Sequence, residues 1–214
     1  MFITFEGIEG SGKSSLMEVV ARGLRERGQE IVQAREPGGT GVGDAVRALF
    51  LDPNRSIEAA AEVMLLCASR AQLCVEVIRP ALRTGKTVLC DRFYDSTIAY
   101  QGYGRALDIE ALLQICLWAT SGLSPDLTFV LDLSPEVSHE RVSERAAREH
   151  DRVDRIEAES LDFHRRVREG YLQMAQRWPT RFVVLDATRD AEQLSRECAQ
   201  AIEHVRARLR TAIR

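Results

Sequence analysis

Met1-Phe-Ile-Thr-Phe5-Glu-Gly7-Ile8-Glu9-Gly10-Ser11-Gly12-Lys13-Ser14-Ser15 is the stretch whose reading decides the fold. Its apolar run Met1 to Phe5 reads as a buried strand. From Lys13 to Arg27 the apolar residues Leu16, Val19, Val20 and Leu24 recur at helical spacing, with Gly28 just past the end as a C-cap. Between strand and helix, Gly7 to Ser14 satisfies G-x-x-x-x-G-K-[ST] in full. Gly7, Gly10 and Gly12 let the backbone curl so that successive N–H groups face one anion. The helix that starts near Lys13 adds the positive end of its dipole. Lys13 sets a cation at the β- and γ-phosphates, and the Ser14 hydroxyl is offered to Mg²⁺. Ile8, Glu9, Ser11 and Ser15 complete the loop expected to bind the phosphates of a nucleoside triphosphate. The strand before and the helix after set the motif apart from an incidental Gly-rich turn.

Working outward, further strands are expected from Ile31, over Thr87 to Asp91, Leu127 to Asp132 and Arg181 to Asp186. A helix is expected around Asp44 to Phe50, ending before Pro53. A long one over Ser56 to Arg83 should be bent or interrupted at Pro80, and a last one carries Leu194, Cys198, Ile202, Val205 and Leu209. Strands alternating with helices imply an α/β P-loop NTPase fold: a five-stranded parallel sheet covered by helices on both faces, as one domain over 1–214.

With 45% hydrophobic and 29% charged residues in 214, disorder is excluded. The net charge of −3, without a basic block, gives no support for a nucleic-acid polymer as partner. No window reaches the roughly 18 apolar residues of a membrane span, and no export signal precedes the first strand. Cys67, Cys74, Cys90, Cys116 and Cys198 form no C-x-x-C pair and read as buried, reduced thiols of a cytoplasmic protein.

The motif alone is shared by GTPases, motors and small kinases. Neither Asn-Lys-x-Asp nor Asp-x-x-Gly occurs, and there is little spare chain for the modules of a motor. A compact kinase of a small acceptor remains. Glu9 would repel a triphosphate, so it should point across the γ-phosphate toward the acceptor, unless it is a solvated loop acid. Asp91-Arg92 closes the third strand, where ligands of parallel sheets gather. There Asp91 suits the Mg²⁺ shell and Arg92 a phosphate, against the plainer reading of a helix cap beside a surface arginine. Arg35 and Arg47 flank the turn Arg35-Glu-Pro37-Gly-Gly-Thr40 and add positive charge, while Pro37 suggests a cis bond. No general base stands out, and a phosphate acceptor with second pKa about 6 requires none. Arg141, Arg145, Arg148, Arg152 and Arg155 are spaced to share one helix face if the helix persists. They read either as a solvated face laced with ion pairs or as a mobile lid carrying a cation to the transferring group.

At this point the residues resemble bacterial thymidylate kinases through nearly the whole chain. The agreement runs through Phe5 to Ser14, Arg35 to Thr40, Ala61-Glu-Val63, the Arg70 region, Asp91-Arg92, Ser96-Thr97, Ala99-Tyr100-Gln101-Gly102, Pro125-Asp-Leu-Thr128 and Asp154-Arg-Ile-Glu157. The resemblance implies ATP-dependent phosphorylation of dTMP to dTDP by a P-loop kinase, generally a homodimer. It implies that Glu9 holds the 3′-hydroxyl region of the acceptor, Arg92 its phosphate, and Arg70 the thymine carbonyl edge. Thr97 and Gln101 would line the base and sugar pocket, and Tyr100 would stand where a 2′-hydroxyl is disfavoured. The lid would span approximately 141–155, with Arg145, Arg148 and Arg152 as candidates for the transferring phosphate, and Ala187-Thr188 would contact adenine as that loop does in related kinases. One departure is Leu66, where the family usually has a Phe against the base. That position keeps open a kinase for another small acceptor; a nucleotide-dependent regulatory switch is the alternative from another class.

Overall fold

A computed structural model describes residues 1–149 and 153–212. The apolar opening run forms β1 (Phe2–Glu6), and all five of its residues are buried. A strand buried at every position has both faces covered, in keeping with Phe2, Ile3 and Phe5 filling both faces of the pattern. β2 (Ile31–Arg35), β3 (Thr87–Asp91), β4 (Leu127–Asp132) and β5 (Phe182–Asp186) join it in the order β2-β3-β1-β4-β5. All pairings are parallel, with Ile3 opposite Leu89 on one side and Leu127 on the other. The chain therefore reverses its winding at β1, and the crevice beyond the carboxyl ends of β1 and β3 is where such a sheet takes its ligands.

The helices are α1 (Lys13–Glu26), α2 (Gly41–Leu51), α3 (Ala59–Leu73), α4 (Arg79–Arg83), α5 (Tyr94–Thr97), α6 (Ile109–Ala119), α7 (Pro135–Glu149), α8 (Leu161–Arg177) and α9 (Ala191–Ala212). α2 starts earlier than its apolar pattern indicates, because Thr40 caps it by accepting from the Gly43 amide at 2.9 Å. The expected break near Pro80 is a π-helical turn, Cys74–Ile78, between α3 and α4. This wider turn stands just before a residue that has no N–H to give. A second π-helical segment, Ile98–Gly104, continues α5 and carries Tyr100 and Gln101.

The arginine face differs from expectation. Val153 and Asp154, beyond α7, are not helical, so Arg155 does not continue the row of Arg141, Arg145 and Arg148. The Asp154 carboxylate accepts from the amides of Ile156 and Glu157 at 2.8 and 2.9 Å, and that turn replaces helix. Arg152 lies outside the described residues. Among the described residues no helix is long and apolar enough to cross a membrane.

Candidate functional site

The phosphate loop joins β1 to α1, with Gly7, Gly10 and Gly12 all at positive φ. A Cβ on Gly7 would lie 2.5 Å from the Leu131 carbonyl oxygen, so only glycine fits where the loop passes β4. Above Gly12 a Cβ would meet nothing within 4 Å, which leaves open space over the α1 amides. Lys13 folds back over the loop and donates to the Ile8 carbonyl at 2.8 Å and to Ser11 Oγ at 3.3 Å. Burial, reinforced by the nearby Arg92 cation, pushes the Lys13 ammonium down to about 8.

Ser14 donates its hydroxyl to Asp91 Oδ2 across the β1–β3 junction. A hydroxyl and a carboxylate in contact at the mouth of the loop form the hard-oxygen donor set that suits Mg²⁺, which takes most of its remaining ligands from phosphate and water. Among the described residues no cluster of three or more His, Cys, Asp or Glu could cage a metal by itself.

Glu9 leans out of the loop toward the far side of the crevice, as charge repulsion requires. Its Oε1 accepts from Arg92 Nη2 and from the Tyr100 hydroxyl, each at 2.7 Å. Burial opposes its charge, but Arg92, Lys13 and His164 hold the Glu9 carboxyl below its ordinary range. Arg92 is one of three non-glycine residues at positive φ (68°) among the described residues. Its Nη1 donates to the Gly7 carbonyl at 2.9 Å and also reaches Ser96 Oγ and the Tyr171 hydroxyl. Glu6, at the end of β1, fixes this arrangement from below. It accepts from the Phe93 amide at 2.7 Å, Ser96 Oγ at 2.6 Å and the Tyr171 hydroxyl at 3.0 Å. Burial and Asp95 push the Glu6 carboxyl up to about 7.

The inner end of the crevice is built by Arg70, which is 1% exposed. Its Nε donates to Glu36 at 2.7 Å, its Nη2 to Thr97 Oγ1 at 3.0 Å, and its Nη1 contacts the Cys116 sulfur at 3.6 Å. Gln101 donates to the buried Glu62 at 2.8 Å, which leaves Gln101 Oε1 buried without a partner among the described residues. Leu66 and Phe50 supply apolar wall. Phe93 also reaches the wall, but its ring is packed edge-on against Phe2 at 4.9 Å as part of the core. Arg47 donates to the Pro37 carbonyl at 3.1 Å, and the Glu36–Pro37 bond is cis.

All of this forms one cleft of about 520 Å³. Of the expected residues, Glu9, Gly10, Gly12, Lys13, Ser14, Ser15, Asp91 and Arg92 meet in its wall. So do Arg35, Pro37, Arg47, Leu66, Arg70, Thr97, Tyr100, Gln101, Arg145 and Arg148. Gly7, Ile8 and Ser11 act behind the wall, through the contacts already given. Ala187 and Thr188 lie outside it; the Ala187 carbonyl accepts from Arg141, which also donates to the Gly10 carbonyl at 3.2 Å. Arg141 thus ties α7 to the phosphate loop, while Arg145 pairs with Glu157 at 2.6 Å. Arg155 donates to the Phe50 carbonyl at 3.0 Å and to Glu62. Spacing does not single out Glu6, Ser96, His164 and Tyr171, each a single polar residue inside an otherwise ordinary strand or helix pattern, nor Glu36, which lies in the bend just after β2.

A family model described as thymidylate kinase matches residues 5–198. A thymidylate kinase of Halothermothrix orenii is 50% identical over 197 residues, spanning 92% of this chain and 93% of that protein. One from Desulfovibrio desulfuricans is 49% identical over 206 residues, 95% of each chain. Among solved structures, the crystal structure of thymidylate kinase from Ehrlichia chaffeensis is similar with a TM-score of 0.70 and 34% identity, covering 86% of this chain and 91% of that one.

Proposed function

The chain belongs to the thymidylate kinase family, and from that premise we infer how its cleft divides the work of ATP-dependent phosphorylation of dTMP to dTDP. The loop amides from Gly10 to Ser15 and the Lys13 ammonium receive the triphosphate of ATP. Ser14 and Asp91 would hold Mg²⁺, which when bound neutralises charge on the β- and γ-phosphates. Arg92, Arg35 and Arg47 receive the acceptor phosphate, and Arg145 and Arg148 bring cations from α7 toward the transferring group. Arg152, the third candidate for that part, lies outside the described residues. Ala187 and Thr188 sit beside Arg141 at the outer end of the phosphate loop, where an adenine attached to that triphosphate would extend.

At the inner end, Arg70 faces a carbonyl edge of the base. Gln101 Oε1, buried without a partner, is suited to accept from an N–H of that base, and Thr97, already accepting from Arg70, keeps its own O–H to give. Burial keeps the Tyr100 hydroxyl protonated, and that hydroxyl stands against Glu9, leaving no room to solvate a 2′-hydroxyl there. The observation that carries this reading is the continuity of the cleft from the Ser14–Asp91 pair to Arg70, with Glu9 and Arg92 between. Catalysis is then alignment and charge neutralisation, since the acceptor phosphate is already its own nucleophile.

Coupled ADP release measured over a panel of acceptors tests the assignment. Turnover with dTMP should exceed that with dCMP, dGMP or AMP by at least about 10²-fold; equal turnover would refute it. Leu66→Phe should lower the KM for dTMP about two- to tenfold with kcat unchanged, because an aromatic wall adds about 0.5–1.5 kcal/mol of stacking. An unchanged or higher KM would mean that the base does not lie against this wall.

The Lys13 value gives a pH expectation. The protonated ammonium is the form that attracts phosphates, and free enzyme loses that proton as pH rises through about 8. ATP affinity should therefore hold below pH 8 and weaken above it, approaching about tenfold per pH unit. Titration calorimetry from pH 7 to 9.5 measures this, and Lys13→Arg should flatten the alkaline limb.

The protein is proposed to act as a homodimer in the cytoplasm. Trp118 on α6 is 85% exposed, and Met64 and Val75, on α3 and the π-helical turn after it, are more than half exposed, an apolar face suited to a second copy. Five free, buried cysteines suit a reducing compartment.

A further inference from the structure

Two buried polar atoms near the cleft face one another without a hydrogen-bond partner among the described residues. One is Glu9 Oε2, the oxygen not used by Arg92 and Tyr100, and the other is Nδ1 of His164. They are 3.6 Å apart. His164 belongs to α8, is 7% exposed, and packs edge-on to Phe163, whose ring in turn lies against Tyr100. It stands behind Glu9, outside the cleft wall.

We propose that His164 is a positioning residue for Glu9, and through Glu9 a determinant of selectivity for an acceptor that carries a 3′-hydroxyl. This rests on the assignment of Glu9 to the sugar end of the acceptor. A carboxylate oxygen can only accept, so the facing imidazole nitrogen satisfies it only by carrying the proton. With Nδ1–H aimed at Oε2, closure of the gap to about 3.0 Å makes a charge-assisted hydrogen bond. The carboxylate is then clamped on both oxygens: Arg92 and Tyr100 hold Oε1, and His164 holds Oε2. A carboxylate held at one oxygen only can rotate about its terminal bond, and a hydroxyl that depends on its direction is bound less well. Sequence alone gives no sign of this pairing, since His164 sits on an amphipathic helix far along the chain from the phosphate loop.

The test compares His164→Leu, His164→Asn and His164→Gln, using dTMP and its 3′-deoxy analogue as acceptors. Asparagine places an amide N–H close to the position of Nδ1, whereas glutamine places it near Nε2. His164→Leu should raise the KM for dTMP about tenfold, with kcat within about twofold and the KM for ATP unchanged. Its KM for the 3′-deoxy acceptor should stay near the wild-type value. Asn should restore most of the loss and Gln should not. Unaltered discrimination between the two acceptors, or equal rescue by Asn and Gln, overturns the proposal; if the Leu variant does not fold, the Asn and Gln pair decides alone. Glu9→Gln separates this from failure of the underlying assignment. If it leaves discrimination unchanged, Glu9 does not read the 3′-hydroxyl and the selectivity claim falls with it. The ¹⁵N signal of His164 Nδ1 then tests the pairing directly, as a protonated nitrogen whose shift moves in Glu9→Gln. A signal indifferent to that substitution overturns the pairing.

Discussion

Lys13→Ala should lower kcat/KM for dTMP phosphorylation by about 10³-fold or more, a loss of about 4 kcal/mol in transition-state stabilisation. The loop amides can still cradle a triphosphate in this variant, because they depend on the conformations of Gly7, Gly10 and Gly12. What disappears is the one cation that belongs to the loop itself, held in a site dry enough to displace its proton toward neutrality. A positive charge there acts with little screening on the charge that migrates during transfer. Thermal stability should change little. The side chain's own contacts are the Ile8 carbonyl and Ser11 Oγ, and keeping an ammonium buried works against the fold. Steady-state kinetics beside a melting curve check both parts. A variant retaining more than a tenth of wild-type kcat/KM would remove Lys13 from the chemistry.

Arg92→Ala should have a comparable effect by another route. Acceptor turnover should fall about 10³-fold while ATP affinity stays within a few-fold. Unlike Lys13, Arg92 also holds the fold together, since it joins the Gly7 carbonyl, Glu9, Ser96, Tyr100 and Tyr171. Its removal leaves the Glu9 carboxylate largely buried without its cation. That destabilises by about 2–3 kcal/mol, below the usual cost of breaking a buried pair because Tyr100 still donates to Glu9. The double variant Glu9→Gln with Arg92→Ala separates the two effects. Melting should recover most of the loss, and dTMP turnover should not. If turnover with Arg92→Ala matches wild type, the acceptor phosphate is bound elsewhere.

Sequence patterns carried the skeleton because the physics behind them is local. A mostly apolar, β-branched and aromatic run such as Phe2 to Phe5 reads as a buried strand, and G-x-x-x-x-G-K-S encodes a backbone path by itself. All five strands appear where these patterns place them, in parallel. The supports of the site were not legible in that way. Glu6 accepts from Tyr171, 165 positions away, and such a contact has no period to betray it. Arg70 reads in sequence as one more polar residue of a long helix, yet it is buried against Glu36, Thr97 and a thiol. Arg155 followed the three-four spacing of the α7 arginines and still left their face. The Asp154 side chain captures the amides that a continuing helix needs, and helical spacing says nothing about that competition. Resemblance to the family supplies the expected roles for Arg70, Thr97 and Gln101, which composition and periodicity do not.

The Arg92–Gly7 contact has a thermodynamic corollary. Under the proposed assignment, the guanidinium that receives one nucleotide is fastened to the backbone that wraps the other, which links the two compartments. Whatever factor ATP imposes on the dissociation constant of dTMP, dTMP must impose on that of ATP. A single inhibitor reaching into both compartments would gain from this reciprocity as well as from the high effective concentration of its second half. Its spacer would have to thread between Glu9 and the tip of the loop.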